Sequence, residues 1–273
     1  MAGVTLPLGA VLGAALASGD DAELRAVLVA GSRLPGPRMN LRLVGEFAAA
    51  AADVVVRPAP PVAALESLLD TWAAIPVADA PGDQPGVILP CAAVAAYGEV
   101  GAARPDWWAD EIVKLRRAAG DPRWRVREVV ATALQRLLDA DWPRTFEALE
   151  AWTDDADPLV LRAVAAAVAE PRLLADGARA RAAANLQRRV LERYRNLDPA
   201  RRRSDGGRSL RQALGFTIGV AAGSTGDLRV LDELRNADDA DLRWIARRNL
   251  ATSRMRRLVE GDGATPQLGT FGP

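Results

Sequence analysis

The side chains that commonly carry enzymatic chemistry are sparse in this chain. It contains no histidine and one cysteine, Cys91, which excludes Ser-His-Asp and Cys-His nucleophilic machinery, histidine metal ligands and cysteine metal clusters. Cys91 has apolar neighbours and is predicted to be buried and unreactive. The remaining candidates for catalysis are carboxylates, and Asp110 and Glu111 stand closest to a tryptophan pair, Trp107-Trp108. We therefore expect no metal and no organic cofactor.

Arginine is the residue type whose placement most favours a binding function. Residues 1–178 carry 16 Lys and Arg against 24 Asp and Glu, a net charge of −8, whereas residues 179–273 carry 19 Arg against 11 acids, a net charge of +8. A basic C-terminal region attracts phosphates or acidic proteins. The calculated pI of 6.4 nevertheless falls well below the value of about 9 that is typical of nucleic-acid-binding domains. The alternative is that these arginines only support helices and balance acids on neighbouring repeats.

The predicted contacts to an anionic partner are arginines of the basic region and tryptophans that stand beside arginine at the start of a helix. They are Trp124, Arg125, Arg181, Arg188, Arg195, Arg201, Arg202, Arg203, Arg208, Arg211, Trp244, Arg247 and Arg248. Residues 181, 188 and 195 are seven apart and share one helical stripe, and stacking groups beside cations are common in binding grooves. A flexible loop around Ser204–Gly207 is also predicted, where Gly206 and Gly207 would let backbone amides approach a phosphate.

A phrase that recurs along the chain predicts the elements that position these residues. An acidic turn precedes an aliphatic-Arg step at Val126-Arg127, at Leu161-Arg162 35 residues later, and at Leu242-Arg243 after 81 more. Self-similarity at 35–40 residues is typical of helical solenoids. Apolar periodicity and helix breakers predict helices that include 22–31, 87–101, 106–118, 123–138, 158–169, 178–196 and 208–222. No segment alternates with a period of two, so the predicted fold is all-α, a right-handed α-α superhelix.

The stretches 121–138 and 155–169 resemble HEAT repeats. Val126, Val130 and Leu134 fall on one apolar face of a helix that Asp121-Pro122 begins. The resemblance covers about half of the chain, from 106 to 169 and from 226 to 257. It implies that Arg127, Arg162 and Arg243 belong to ladders between successive units rather than to a ligand site.

Trp124-Arg125-Val126-Arg127 also resembles the DNA alkylation repeat glycosylases. That resemblance implies a basic concave surface for duplex DNA and a carboxylate, here Asp110 or Glu111, with tryptophans around a cationic alkylpurine. The chain departs from this pattern on the 158–169 helix, which has no tryptophan. Asp110 and Glu111 are also expected to face solvent on an amphipathic helix. We therefore expect no release of alkylated purines from methylated DNA.

Three regions are predicted along the chain: degenerate N-terminal helical repeats over 1–105, HEAT-like repeats over 106–260 that become basic towards the C-terminus, and a disordered tail over 261–273. The apolar stretch Val4–Ser18 is short for a bilayer span and lacks preceding basic residues. It is interpreted as a core-facing helix. We expect no membrane contact and a cytoplasmic location.

These observations favour a non-catalytic HEAT-like binding protein that engages nucleic-acid backbone, or an acidic protein, through a basic concave surface. The alternatives are an N-alkylpurine DNA glycosylase and a scaffold that binds only other proteins. Solenoid folds serve many unrelated functions, so the fold alone does not choose among them.

Overall fold

The chain folds entirely into helices and connecting turns over residues 7–261, which are the residues that this computed structural model describes; no β-strand occurs in that range. This confirms the predicted all-α class. The α-helices of the described range are α1 Leu8–Ser18, α2 Ala22–Gly31, α3 Leu41–Val55, α4 Val62–Ala73, α5 Ile88–Ala103, α6 Trp108–Ala119, α7 Trp124–Ala140, α8 Trp142–Trp152, α9 Pro158–Ala167, α10 Gly177–Arg195, α11 Pro199–Arg203, α12 Asp205–Thr225, α13 Arg229–Arg235, α14 Ala240–Leu250 and α15 Ser253–Gly261. The tail predicted from 261 onwards lies outside the described residues except for residue 261 itself.

The helices form two compact units, one ending at Leu149 and the other beginning at Glu150. In the N-terminal unit, α1, α3, α5 and α7 contact one another in succession, and α4 and α6 pack against α5. In the C-terminal unit, α12 is the central helix and contacts α9, α10, α11, α13, α14 and α15. Each unit therefore has its own core.

Helix α5 is the core of the N-terminal unit. Within the described part of the chain, Pro85–Ala103 is the stretch with the length and apolar composition of a membrane span, and 72% of it is buried inside the protein. A helix that packs against neighbours on all sides must be apolar all round. Cys91 lies on it with no exposed surface, and burial raises the pKa of its thiol to about 12. This confirms the predicted inert thiol.

The recurring phrase has the same local structure at both ends of the repeat region. Arg127 donates from Nη1 to the carbonyl oxygens six and five residues before it, at 2.6 and 2.8 Å. Arg243 makes the same pair of hydrogen bonds, both at 2.7 Å. Each arginine therefore closes the turn that precedes its own helix. These bonds are local to one repeat.

Before α9 and α14, the acidic residue of the phrase caps its helix. The cap predicted for Asp121 is wrong, because Arg123 occupies the cap position of α7 and Asp121 accepts hydrogen bonds from the Arg123 amide and guanidinium instead. Asp157 accepts a hydrogen bond from the Leu159 amide at 2.8 Å, and Pro158 occupies the first turn of α9. Asp239 accepts from the amides of Asp241 and Leu242 at the start of α14. An N-terminal helix turn leaves amides without intrahelical partners, and a carboxylate satisfies them.

Removal of one cap gives a first prediction. Asp157→Ala is expected to lower the free energy of unfolding of the C-terminal unit by about 1 kcal/mol. Asp157→Asn keeps an acceptor in the same place and is expected to cost only a few tenths of that amount. Thermal unfolding followed by circular dichroism at 222 nm compares the two variants. Equal losses for both would show that the cap is not what Asp157 contributes.

Close contact between α12 and α14 positions the arginines described below. Asn249 is fully buried, accepts a hydrogen bond from the Gly219 amide at 2.7 Å and donates to the carbonyl oxygens of Leu214 and Ile245. Four residues earlier on α12, a Cβ on Gly215 would lie 3.1 Å from the Trp244 ring. The absence of side chains at these two glycines lets α14 lie directly against α12.

A candidate anion-binding surface on the C-terminal unit

The Arg201–Arg203 triplet lies on the short helix α11 rather than in a loop. Asp198 caps α11 by accepting from two amides at 2.9 Å, and Ser204 caps α12 by accepting from the Gly207 amide. The predicted flexible loop at Ser204–Gly207 is therefore wrong. Gly207 is buried, and a Cβ there would lie only 2.2 Å from the Arg201 carbonyl oxygen, so its amide is not open to a phosphate.

Within the triplet, the Arg202 side chain is held in place by contacts with other residues of the unit. Its side chain is 19% exposed, forms an ion pair with Asp239, and donates to the Arg195 carbonyl oxygen at 2.6 Å. The guanidinium also lies 5.1 Å from the centre of the Tyr194 ring. Burial raises the pKa of Asp239, but hydrogen bonds from Arg202 and from amides outweigh it and lower that pKa overall. Arg202 thus joins α10, α11 and α14.

Tyr194 and Asp241 extend this network to α12. The Tyr194 hydroxyl donates to Asp241 Oδ2 at 2.9 Å, and Arg211 forms an ion pair with Asp241 Oδ1. Burial and the hydrogen bond to Asp241 raise the pKa of Tyr194 well above its usual value. The Nε atoms of Arg195, Arg202 and Arg211 are buried and make no hydrogen bond to a described residue.

Trp244 lies between two arginines. The Arg211 guanidinium is 4.6 Å from the ring centre and the Arg248 guanidinium is 5.8 Å from it. Cations over an indole face are held by the ring quadrupole. The arrangement fixes two guanidinium groups from different helices, α12 and α14, beside one half-buried ring.

Exposed arginines lie on the same two helices as this stack and on α11. Arg203, Arg208, Arg247 and Arg248 are exposed. Arg208 forms an ion pair with Asp205 and donates to the Arg203 carbonyl oxygen, which fixes its position relative to α11. We call Arg203, Arg208, Arg211, Trp244, Arg247 and Arg248 the basic surface. Its five guanidinium groups are offset by the two carboxylates that pair with them, Asp205 and Asp241, which leaves a net charge of +3.

The remaining predicted arginines of this unit lie elsewhere. Arg201 is exposed and donates to the Ala156 carbonyl oxygen at 2.6 Å. Arg195 lies 3.6 Å from Glu192 and supports Arg202 through its backbone. Arg181 and Arg188 line a separate cavity between α10, α12 and α13. The stripe of three arginines seven apart is therefore divided between two locations.

Trp124 and Arg125 belong to the N-terminal unit. The Trp124 side chain is 51% exposed, with the Arg125 guanidinium 4.3 Å from its ring centre. Arg125 itself is 8% exposed and donates to the carbonyl oxygens of Gly82 and Gly36. These hydrogen bonds connect α7 to two proline-rich loops, so the Arg125 guanidinium stabilises the fold.

The two candidate catalytic carboxylates have opposite environments. Asp110 is exposed, as expected. Glu111 is only 1% exposed, so the expectation that it faces solvent is wrong. Its Oε1 atom accepts from Lys114 at 3.2 Å, and its Oε2 atom is buried with no hydrogen bond to a described residue. Lys114 lies 3.4 Å from Asp70, which accepts a hydrogen bond from the Tyr97 hydroxyl at 2.8 Å.

Burial is the main cause that raises the pKa of Glu111 to about 7, and Lys114 opposes the shift. A proton-binding group near neutral pH is suited to acid–base chemistry. A polymer such as duplex DNA has no access to a side chain with 1% exposure, however. Glu111 is thus a buried core group, and its partner Lys114 connects α6 to α4 through Asp70. Within residues 7–261, no group of three or more Cys, Asp and Glu side chains is placed to hold a metal ion.

Sequence reasoning missed the residues that organise the basic surface. Tyr194, Asp239 and Asp241 were not predicted as site residues, although Asp239 stands in the recurring acidic turn. The hydroxyl of Tyr194 and the carboxylate of Asp241 are 47 residues apart in sequence. No local spacing indicates such a pair.

Comparison with known proteins adds no assignment. No protein-family model matches the chain, and no curated protein matches it.

Proposed function

We propose that this protein is a non-catalytic helical-repeat protein whose C-terminal unit binds nucleic-acid backbone through the basic surface. The observation that carries the proposal is the stack of Arg211, Trp244 and Arg248, which holds two guanidinium groups in place beside the exposed Arg208 and Arg247. Guanidinium groups in fixed positions lose less side-chain entropy when they bind phosphates.

The same proposal includes the finer fold, a HEAT-like right-handed superhelix. The matching turns before α7 and α14 support it, since Arg127 and Arg243 bind carbonyl oxygens at the same two offsets. A repeat of the local structure is what a solenoid requires of its units.

Charge removal at two exposed arginines tests the function. Arg208→Ala with Arg247→Ala removes two predicted phosphate contacts. Each arginine that contacts a phosphate releases close to one counterion from the DNA, and this release favours binding. Without two such contacts, the affinity for duplex DNA at about 0.1 M salt is expected to fall about tenfold or more. Fluorescence anisotropy with a labelled duplex measures the change.

The control is Arg42→Ala with Arg235→Ala, which removes the same charge from two exposed arginines outside the basic surface. It is expected to weaken binding less than twofold. Equal weakening by both double variants would contradict a localised site. Binding to poly-glutamate but not to DNA would favour the acidic-protein scaffold instead.

A further inference from the structure

The arginine stripe of α10 borders a cavity that the basic surface does not include. The cavity has a volume of about 280 Å³ and lies between α10, α12 and α13 within the C-terminal unit. Its lining includes Arg181, Asn185 and Arg188 of α10 and Ile218, Ala221 and Ala222 of α12. Apolar side chains from α12 and α13 share the wall with polar side chains from α10.

We propose that this cavity binds a small organic anion, a carboxylate with a compact apolar body. The proposal is independent of the nucleic-acid function. Binding sites for small molecules combine an apolar wall with a few fixed polar groups, and a volume of about 280 Å³ lies at the small end of the usual range of about 300–1,000 Å³.

Arg188 can hold the anionic end, and Arg181 adds positive charge two helical turns away on α10. Arg181 and Arg188 are seven residues apart on α10 and therefore occupy the same helical face, with Asn185 between them. Arg181 is exposed. Arg188 is 39% exposed and makes two long ion pairs, 3.9 Å to Asp227 and 3.6 Å to Glu233. Such exposed, long pairs contribute little, so a carboxylate can replace them at small cost.

Asp227, the acidic residue of the cavity lining, does not cancel the positive charge of Arg181 and Arg188. Asp227 accepts two hydrogen bonds from Arg229, at 2.9 and 2.8 Å. The side-chain hydrogen bond from Arg229 is the main cause that lowers the pKa of Asp227 far below its usual value. With Arg229 and Glu233 included, three guanidinium groups and two carboxylates leave this site with a net charge of +1, which selects an anion over a cation.

The apolar side chains on the α12 side of the cavity, which we call its floor, favour a ligand with an apolar body. Ile218, Ala221 and Ala222 are at most 2% exposed and come from the α12 face opposite the arginines. Gln187 cannot serve as a free polar contact, because it already donates to the Ala165 carbonyl oxygen and accepts from the Thr217 hydroxyl. A six- to ten-carbon carboxylate such as hexanoate or benzoate has an anionic group for the arginines of α10 and an apolar body for the side chains of α12.

Isothermal titration calorimetry of the full chain tests the site with benzoate and hexanoate, and with their neutral analogues benzamide and hexanol. Both acids are expected to bind with millimolar or lower Kd, at least tenfold tighter than the neutral analogues. Arg181→Gln with Arg188→Gln is expected to weaken the acids at least tenfold. The control Arg189→Gln changes an arginine on the same helix outside the cavity, paired with Glu150, and is expected to leave Kd unchanged.

Three outcomes would overturn the proposal: no binding of either acid at 50 mM, equal binding of acids and neutral analogues, or undiminished binding by the double variant. A second variant, Ala222→Leu, fills the floor while it leaves both arginines in place. Circular dichroism verifies that it folds, and it is expected to abolish binding. Retained binding by the folded Ala222→Leu protein would also overturn the proposal. DNA binding by these variants is measured in parallel, which separates this site from the proposed nucleic-acid function.

Discussion

Gly98→Ala is expected to destabilise the N-terminal unit by about 2 kcal/mol or more, and to lower its Tm by about 5 °C. A Cβ at position 98 would lie 2.6 Å from the Ala133 Cα, 2.7 Å from its carbonyl oxygen and 2.8 Å from its Cβ. These are backbone and near-backbone atoms of α7, so no side-chain rotation relieves the contact. The two central helices of this unit must separate instead, which loosens the packing along α5.

The matched control is Gly45→Ala on α3, where a Cβ would meet no atom within 4 Å. Alanine is a better helix former than glycine, so this change is expected to stabilise the unit by about 0.5–1 kcal/mol. Thermal unfolding followed by circular dichroism gives both values. If Gly98→Ala were as stable as Gly45→Ala, the close crossing of α5 and α7 would be incorrect.

The second large effect is a pH dependence that comes from Glu111. Burial raises its pKa from 4.5 to about 7 in the folded protein. Between those two values the folded state binds more protons than the unfolded state, so stability is highest at low pH in this window and falls as pH rises. A shift of this size corresponds to about 3 kcal/mol lost between about pH 4.5 and pH 7. The chain contains no histidine that would titrate in the same range.

Urea unfolding of the wild type and of Glu111→Gln at pH 5, 6, 7 and 8 measures this effect. The wild type is expected to lose stability up to about pH 7 and then to level off, whereas Glu111→Gln should change little across the series. Asp110→Asn, which alters the exposed neighbour, should keep the wild-type profile. A Glu111→Gln profile with the wild-type slope would assign the dependence to another group.

Helix boundaries set by local chemistry were predictable from sequence. The predicted helices at 158–169 and 178–196 correspond to Pro158–Ala167 and Gly177–Arg195, because Asp157 and Asp176 cap them in the structure. Helix α11 was missed, since five residues rich in arginine carry no apolar periodicity. The glycine pair at 206–207 indicated a loop, but Gly207 allows close packing of α11 on α12, and Gly206 lies near Pro158 and Leu159 at the start of α9.

The sequence indicated which residue types form the candidate site but not what each residue does. Arginine density indicated the region in which the basic surface lies, yet it did not distinguish Arg202, which is held by Asp239 and Tyr194, from the exposed Arg203 next to it. That difference depends mainly on Asp239, which is 37 residues away in the chain. Burial of Glu111 was likewise not evident beside exposed Asp110, because its partner Lys114, on the same helix, pairs with Asp70 of a different helix, α4.

The salt dependence of duplex-DNA binding tests the central claim most directly. If the five arginines of the basic surface each contact a phosphate, the logarithm of the association constant should fall with the logarithm of salt concentration at a slope of about −4.5. The Arg208→Ala and Arg247→Ala double variant should reduce that slope to about −2.7. Anisotropy titrations between 50 and 300 mM salt supply both slopes. No measurable binding at 50 mM salt, or a slope near zero for the wild type, would contradict the proposed function.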